Sequence, residues 1–455
     1  MKHKPPQIRI SQNCWRTIDN ELSTPSLQHE RVVFALTSSA VIAGRTLILV
    51  REVIVPPEGG FTQTHTHGAK WTAKYNLELL NRCLDGRYGL LIIHKHGGSQ
   101  VQMSWHDLDS AHQLLPRFQA DMPQRAHASV VLGHSSADGL VWLPERTESV
   151  RDFEFRVLDD HMSTLPLPVC DAGEAQLHAK QALADTATAR KLLRATRIAI
   201  VGLSGGGSQI ATQLAALGFG ELIGIEDQRL DPENRLSTDA WNWLDLTMHR
   251  KKLSTVKRRI SWINPRCRFT GIASRVPEQR TIDALKSSDI IVGCVNNLTA
   301  RADILEIASR YCIPYIDVGL TIRTADNEPE PARIVAVSGH VFTYVPGGPC
   351  LWCCGYLTKG KIEAETGGAD RSYLWNRGKN GSKREAFVSP FNGVLANQAA
   401  CDVLQLVLGY ASAGSSLTHK MYDGFSGTLT EWAVSRREDC PHCATGVGIG
   451  DPLWS

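Results

Sequence analysis

Long apolar runs are missing from this chain of 455 residues. No stretch approaches the roughly 18 apolar residues that a bilayer-spanning helix needs, so no membrane anchor is expected. The first residues, MKHKPPQIRISQNC, hold no apolar core of the kind a secretory signal requires, and the chain reads as cytoplasmic. A strong charge of either sign is missing too. The 49 Lys and Arg against 46 Asp and Glu leave a formal +3, too small an excess for a general affinity for nucleic acid. No segment repeats at a fixed period, which excludes a solenoid or a propeller. What remains is ordinary for a soluble globular protein, 42% hydrophobic and 21% charged, with length enough for two or three domains. The 12 cysteines of so long a chain point to metal binding or reduced thiols rather than a disulfide framework.

The sequence is organised around RIAIVGLSGGGSQIATQLAALGFGELIGIEDQRLDPEN, residues 197–234. The apolar run Ile198 to Val201 reads as a buried parallel strand. Gly202, Gly205, Gly206, Gly207 and Ser208 then make a turn without bulky side chains, and Ile210 to Leu217 has helical spacing. A helix start offers unpaired N–H groups, and glycines let phosphate oxygens approach them. A second strand, Leu222 to Ile225, ends in Glu226 and Asp227, about 20 residues downstream, where a carboxylate meets ribose hydroxyls. The unit therefore expects a phosphate-bearing nucleotide; dinucleotide oxidoreductases use the same device.

Around this unit the chain divides into residues 1–160, a mixed α/β domain of short elements; residues 161–192, a linker and helix; and residues 193–455, the nucleotide fold. That fold is expected to continue through a basic helix (Lys251 to Trp262), a strand (Ile290 to Val292), a helix (Thr299 to Tyr311) and a strand (Tyr315 to Val318). Thr358 to Ala386, rich in Gly, Lys, Arg and Asp, reads as a mobile loop, with a helix at Gly393 to Leu408.

Two further patterns carry metal chemistry. GGPCLWCC and EDCPHC form two CxxC pairs, and Cys350, Cys353, Cys440 and Cys443 would complete a closed, structural four-cysteine zinc site. LLIIHKHGGSQVQMSWHD places His94 and His96 at i and i+2 of a strand end, where both rings share one face. Asp107 can add an oxygen and leave the fourth zinc position open, as a hydrolytic site needs. A second histidine pair, His65 and His67, lacks a serine and aspartate at that spacing and reads as a polar loop.

The string HxH, seven residues, then SxxD resembles the JAMM (MPN) metalloproteases, which cleave bonds after ubiquitin-like C-termini. The resemblance implies zinc on His94, His96 and Asp107, an oxyanion-stabilising Ser104, and a general base upstream at Glu30, with Glu52 as runner-up. It departs at Gly97, where the family usually has proline.

From the glycine turn through Asn234, Lys252, GCVNN and the CxxC pairs, the order of motifs resembles the ThiF-like and ubiquitin-activating adenylyltransferases, over roughly residues 193–455. The fold class this implies is α/β: a mixed JAMM-like domain, then a Rossmann-like adenylation domain with a four-cysteine zinc site. By the same resemblance, Gly202, Gly205 and Gly207 cradle phosphates, Glu226 or Asp227 holds ribose, and Asn234 and Lys252 contact the triphosphate. The Mg²⁺-linked aspartate of the family is replaced by Asn296. Other departures are Ser204 in a glycine place, Ser237 for an arginine, and Lys180-Gln181 for an arginine-glutamine pair. No cysteine lies in Gly355 to Pro390, where a thioester would usually form; Cys354 and Cys401 are read as packed.

The expected protein is thus a two-module enzyme using ATP, Mg²⁺ and zinc, one catalytic and one structural. It would act on a ubiquitin-like protein ending in Gly, as in bacterial conjugation systems, some tied to antiphage defence. A conjugating-type cysteine protein or a sulfur donor would accept the product, and the resemblance implies a homodimer. The alternatives are sulfur-carrier activation for thiocarboxylate chemistry and a catalytically impaired nucleotide-binding scaffold.

Overall fold

The computed structural model describes residues 4–24, 31–57, 61–65, 68–165, 187–232, 240–325, 333–366, 388–410 and 419–451. They fall into two compact units. The first holds residues 1–168 with 309–312 and 446–455; the second holds 169–308 and 313–445.

In the first unit the elements run β1 (Gln7–Ile10), α1 (Gln12–Ser23), β2 (Val32–Ile42), β3 (Arg45–Ile54), β4 (Phe61–His65), β5 (Gly68–Trp71), α2 (Ala73–Gly86), β6 (Gly89–Lys95), α3 (Trp105–Asp121), β7 (His127–Leu132), β8 (Ala137–Trp142), β9 (Ser149–Val150), β10 (Glu154–Leu158) and β11 (Met162–Leu165). Nine of the strands form one sheet in the order β11-β10-β1-β3-β2-β6-β7-β8-β9. Both faces of this sheet are covered, which is why the first half of β2, Val32 to Leu36, reads as an unbroken apolar run rather than an alternation. Val33 and Ala35 point into a core with Ile18 of α1, whereas Val32, Phe34 and Leu36 point into another with Leu79 of α2 and Leu115 of α3. Residues 446–451 also belong here: the Ser38 hydroxyl donates to the Gly448 carbonyl at 2.6 Å.

The second unit runs α4 (Ala187–Ala195), β12 (Arg197–Val201), α5 (Gly205–Ala216), β13 (Glu221–Ile225), α6 (Trp243–Thr247), α7 (Lys252–Ile263), β14 (Arg268–Ile272), α8 (Gln279–Lys286), β15 (Ile290–Gly293), α9 (Leu298–Arg310), β16 (Tyr315–Ala325), β17 (Arg333–Tyr344), α10 (Lys359–Thr366), α11 (Ser389–Leu408), β18 (His419–Asp423), β19 (Thr428–Trp432) and α12 (Pro441–Thr445). Its sheet has the order β14-β13-β12-β15-β16-β17-β18-β19. The first five strands are parallel and the last three are added antiparallel. Strand order therefore reverses between β12 and β15, and in such sheets ligands bind in the crevice at the carboxyl ends of the two strands.

Part of the stretch read as a loop is ordered: Lys359–Thr366 is a helix, and residues 367–387 lie outside the described residues. Among the described residues, no helix is long and apolar enough to cross a membrane.

Phe34 is fully buried and meets the rings of Trp71 and Tyr75 edge-on at 5.0 and 5.7 Å. Phe34→Ala is expected to destabilise the first unit by about 3–5 kcal/mol, measured by denaturant unfolding, because the void cannot collapse between a sheet and a helix.

Candidate functional site

The crevice is built by the glycine turn. Gly202 follows β12 with φ +86°, a left-handed conformation that side-chain-bearing residues avoid, and a Cβ there would lie 2.5 Å from the Cys294 carbonyl. A Cβ on Gly207 would lie 1.9 Å from the carbonyl of Gly202. These two glycines thus let the turn fold onto itself and onto the end of β15. Gly205 opens α5, with Ser204 as its N-cap residue. The Ser204 side chain makes no capping bond. Its hydroxyl instead accepts a hydrogen bond at 2.8 Å from Lys252 Nζ, which also donates to Gln228 Oε1 at 2.7 Å.

Lys252 is 2% exposed at the first position of α7. Burial pulls its pKa down, and the nearby carboxylates of Glu226, Asp231 and Asp227 oppose that pull. Glu226 accepts from the backbone N–H groups of Leu203 at 3.1 Å and Gln228 at 3.0 Å, which ties β13 to the turn. Asp227 is paired with Arg275. Of the two candidate ribose ligands, one carboxylate therefore braces the turn and the other faces an arginine. Asn234, Arg235 and Ser237, like Lys180 and Gln181, lie outside the described residues.

On the opposite wall, Asn296 is exposed just after β15, and Asn297 Oδ1 caps α9 by accepting from Ala300 N at 2.7 Å. Beneath them lies a buried ionic network that the sequence reading missed. Arg301 of α9 pairs with Asp317 of β16 and donates to the Val295 carbonyl at 2.7 Å, so it holds the backbone just before Asn296. His340 of β17 and the Tyr315 hydroxyl complete the Asp317 partners at 2.8 and 2.5 Å. Burial works to raise the Asp317 pKa, but the Arg301 charge and the hydrogen bond with His340 hold it below the usual carboxylate value. An isolated arginine in a helix gave no signal of this role, since its partners come from two strands downstream. Glu365 was missed for a similar reason: it lies in the last turn of α10, in the stretch read as loop, yet its carboxylate accepts from Leu298 N and Thr299 N at 2.8 and 3.1 Å.

The four paired cysteines converge. Cys350 Sγ is 3.8 Å from Cys353 Sγ and 3.7 Å from Cys440 Sγ, and Cys353 Sγ is 3.6 Å from Cys443 Sγ. Four thiolates around one zinc, each about 2.3 Å from it, stand about 3.8 Å apart, so these spacings fit an ion and are far too long for disulfides.

In the first unit, His94 is the last residue but one of β6, His96 follows the strand, and Asp107 lies in the first turn of α3; their ligand atoms all fall within 4.8 Å of one another. Asp107 Oδ1 is 3.3 Å from His94 Nε2, and Oδ2 is 3.7 Å from His96 Nε2. The buried His94 Nε2 makes no hydrogen bond, although Asp107 Oδ1 is only 3.3 Å away, so it stands where a metal ligand would. Burial works to raise the Asp107 pKa, but the His94 ring and hydrogen bonds from Ser104 hold it well below the usual carboxylate range. Ser104 is the N-cap of α3, and its hydroxyl and N–H each donate to Asp107 Oδ2 at 2.7 Å. The serine and aspartate thus form a capping box, and the same contact orients the aspartate. Glu52 is not brought to the cluster. It pairs with Arg82 at 2.6 Å and lies across from Leu36, four residues along β2 from Val32, the partner of His94. Glu30 and His67, and the side chain of His65, lie outside the described residues.

Comparison with known proteins agrees with the second unit. Residues 177–442 match the model of the ThiF family. The chain belongs to the ThiF family. This ThiF-family chain is 22% identical to the sulfur carrier protein ThiS adenylyltransferase of Escherichia coli over 57% of its own length and 89% of the relative's. It is 21% identical to the molybdopterin-synthase adenylyltransferase of the same organism, over 56% and 89%. Among solved structures, E. coli MccB aligns with 56% of this chain and 68% of its own at 19% identity and a TM-score of 0.45.

The thiols of the ThiF domain are poorly disposed to attack. Burial pushes Cys294 up to about 12, and it also raises Cys354, whose thiol donates to the Leu351 carbonyl at 3.3 Å. Cys401, expected to be packed, is instead exposed on α11. The helix buries the neighbouring Ala400, Asp402 and Val403, which leaves this position on its outer side.

Two outcomes follow from this geometry. Gly202→Ala is expected to destabilise the second unit by at least about 2 kcal/mol in denaturant unfolding, because it combines a left-handed backbone with a clash against backbone. Cys353→Ser is expected to remove one bound zinc, measured by metal analysis, without altering metal at the His94 cluster.

Proposed function

We propose that this chain adenylates the C-terminal glycine of a small ubiquitin-like or sulfur-carrier protein at the crevice of its ThiF domain. The observation that carries the reading is the burial of the Lys252 ammonium against Ser204 at the glycine turn. A cation held there faces the phosphates that the turn and the α5 N-terminus would cradle, and it offsets the charge that accumulates at the α-phosphorus. The reaction balances simply: a carboxylate oxygen bonds to the α-phosphorus, the bond to the bridging oxygen breaks, and pyrophosphate leaves an acyl-adenylate behind. With the thiols of Cys294 and Cys354 half-buried and held protonated by desolvation, the acyl group passes to an external thiol or sulfur nucleophile rather than to a thiol of the crevice. Relatives named for ThiS and molybdopterin synthase favour the sulfur branch; the SAMP-activating enzyme E1 of Haloferax volcanii, 21% identical over 56% of this chain, favours a conjugation branch. The protein would work as a cytoplasmic homodimer.

The first unit adds a second activity to the proposal, a JAMM-type peptidase trimming the same C-terminus or undoing its conjugates. His94, His96 and Asp107 would hold zinc, which would supply Lewis acidity toward a peptide carbonyl. Ser104, whose hydroxyl here donates to Asp107, would turn that hydroxyl to stabilise the oxyanion, and Glu30 would move the proton.

Lys252→Ala is expected to lower AMP release, in the presence of hydroxylamine and a protein ending in Gly, by roughly a hundredfold or more, while the exposed neighbour Lys257→Ala changes it little. Equal activity of the two variants would sink the adenylation reading. For the peptidase, His94→Ala should lose one bound zinc and all cleavage of a Gly-terminal fusion; unchanged zinc content would refute that assignment.

A further inference from the structure

Between His96 and Ser104 the chain forms no helix or strand, yet this loop sets how far the start of α3 stands from the two imidazoles. A loop free to move would leave Asp107 to be ordered only when an ion arrived, at a cost in affinity. The groups that hold it come from the turn after β7 and from β8. Val101 and Met103 send their side chains into the core that contains Leu115 of α3. Met103 precedes the N-cap Ser104, and Leu108, four residues after that cap, packs on the same core; apolar residues at these two places set the angle at which a chain enters a helix. The backbone of the loop is held too. The Ser135 and Ser136 hydroxyls donate to the Ser99 carbonyl at 2.8 and 3.0 Å, and Ser136 Oγ accepts from Val101 N at 2.9 Å. Asp138 Oδ2 accepts from Met103 N at 2.8 Å, one residue before the serine that caps α3.

Asp138 also has a fixed place relative to the histidines. It lies opposite Val131 of β7, which lies opposite His94 of β6. Paired residues share a face of the sheet, so Asp138 and His94 stand in one row two strands apart, about 10 Å at ordinary strand spacing. Its Oδ1 accepts from Gly139 N at 2.9 Å and Arg151 Nε at 2.8 Å, and Arg151 closes on Oδ2 as well. Burial works to raise the Asp138 pKa, but the hydrogen bonds from Arg151 and Met103 N hold it below the usual carboxylate value. Both oxygens therefore have donors, and the carboxylate braces the loop rather than joining the ligands.

We propose that Asp138, clamped by Arg151, is a positioning residue for the metal cluster: by holding the Met103 N–H it fixes Asp107 against His94 and His96 and so sets the affinity of the three for zinc. The inference rests on the reading of those three residues as a zinc site.

The test uses the full-length protein loaded with zinc, with affinity read by competition against a chromophoric chelator. His94→Ala, which keeps only the four-cysteine zinc, gives the baseline. Asp138→Ala is expected to weaken zinc at the histidine cluster by about tenfold or more and to leave the four-cysteine zinc unchanged. Asp138→Asn, which keeps an acceptor for Met103 N, should show a smaller loss. A role in folding alone would lower the unfolding midpoint without moving the zinc affinity of the folded protein. Should Asp138→Ala fail to fold, Asp138→Asn decides by the same criteria. Wild-type zinc affinity in the folded variants, or an equal loss at both zinc sites, overturns the inference and leaves the zinc reading standing. Wild-type protein that holds no more zinc than His94→Ala overturns both.

Discussion

The ammonium of Lys252 is nearly dry, and a buried charge is tolerated only where hydrogen bonds and opposite charges meet it. Here Ser204 and Gln228 meet it directly, and Glu226 lies close enough to favour its charged form. Those partners are also the parts of the crevice: Ser204 heads α5, Gln228 follows β13, and Glu226 braces the turn through Leu203. One cation thus holds a helix start, a strand end and a second helix in a single arrangement. A triphosphate entering the crevice would meet that charge already in place, so little reorganisation is left for the moment of reaction.

Much of this was readable from the residues, and the reasons are local. The strand, glycine turn and helix of residues 197–216 are set by neighbours in sequence: apolar β12, a left-handed Gly202, small residues through the turn. The cysteine pairs were readable because each CxxC fixes its own two thiols, and the fold had only to bring the pairs together. The histidine cluster was readable because the strand period aligns His94 with His96. What stayed hidden depends on long-range pairing. Arg301 finds Asp317 and His340 across strands, and Glu365 reaches α9 from about 67 residues away along the chain, out of a polar stretch whose composition suggested only loop. Cys401 was misjudged because helical spacing alone does not say which side of α11 faces solvent.

Ser104 shows how one spacing can serve two ends. SxxD at a helix start is a capping box, and here it forms one; the same bonds aim Asp107 at two imidazoles. Asp245 and Asn242 form a second capping box at α6, with Arg258 rather than histidines facing the acid, so the motif by itself carries no metal chemistry. The difference lies in what the strand beside it presents.

The central claim is that this ThiF-family crevice activates a carboxylate with ATP. It is tested most directly by exchange of labelled pyrophosphate into ATP, catalysed by the purified protein with a small protein ending in Gly. Exchange that requires the terminal glycine and disappears when that residue is removed is the predicted result. A partner that binds the protein yet supports no exchange above background would contradict the account and leave the domain a nucleotide-binding scaffold.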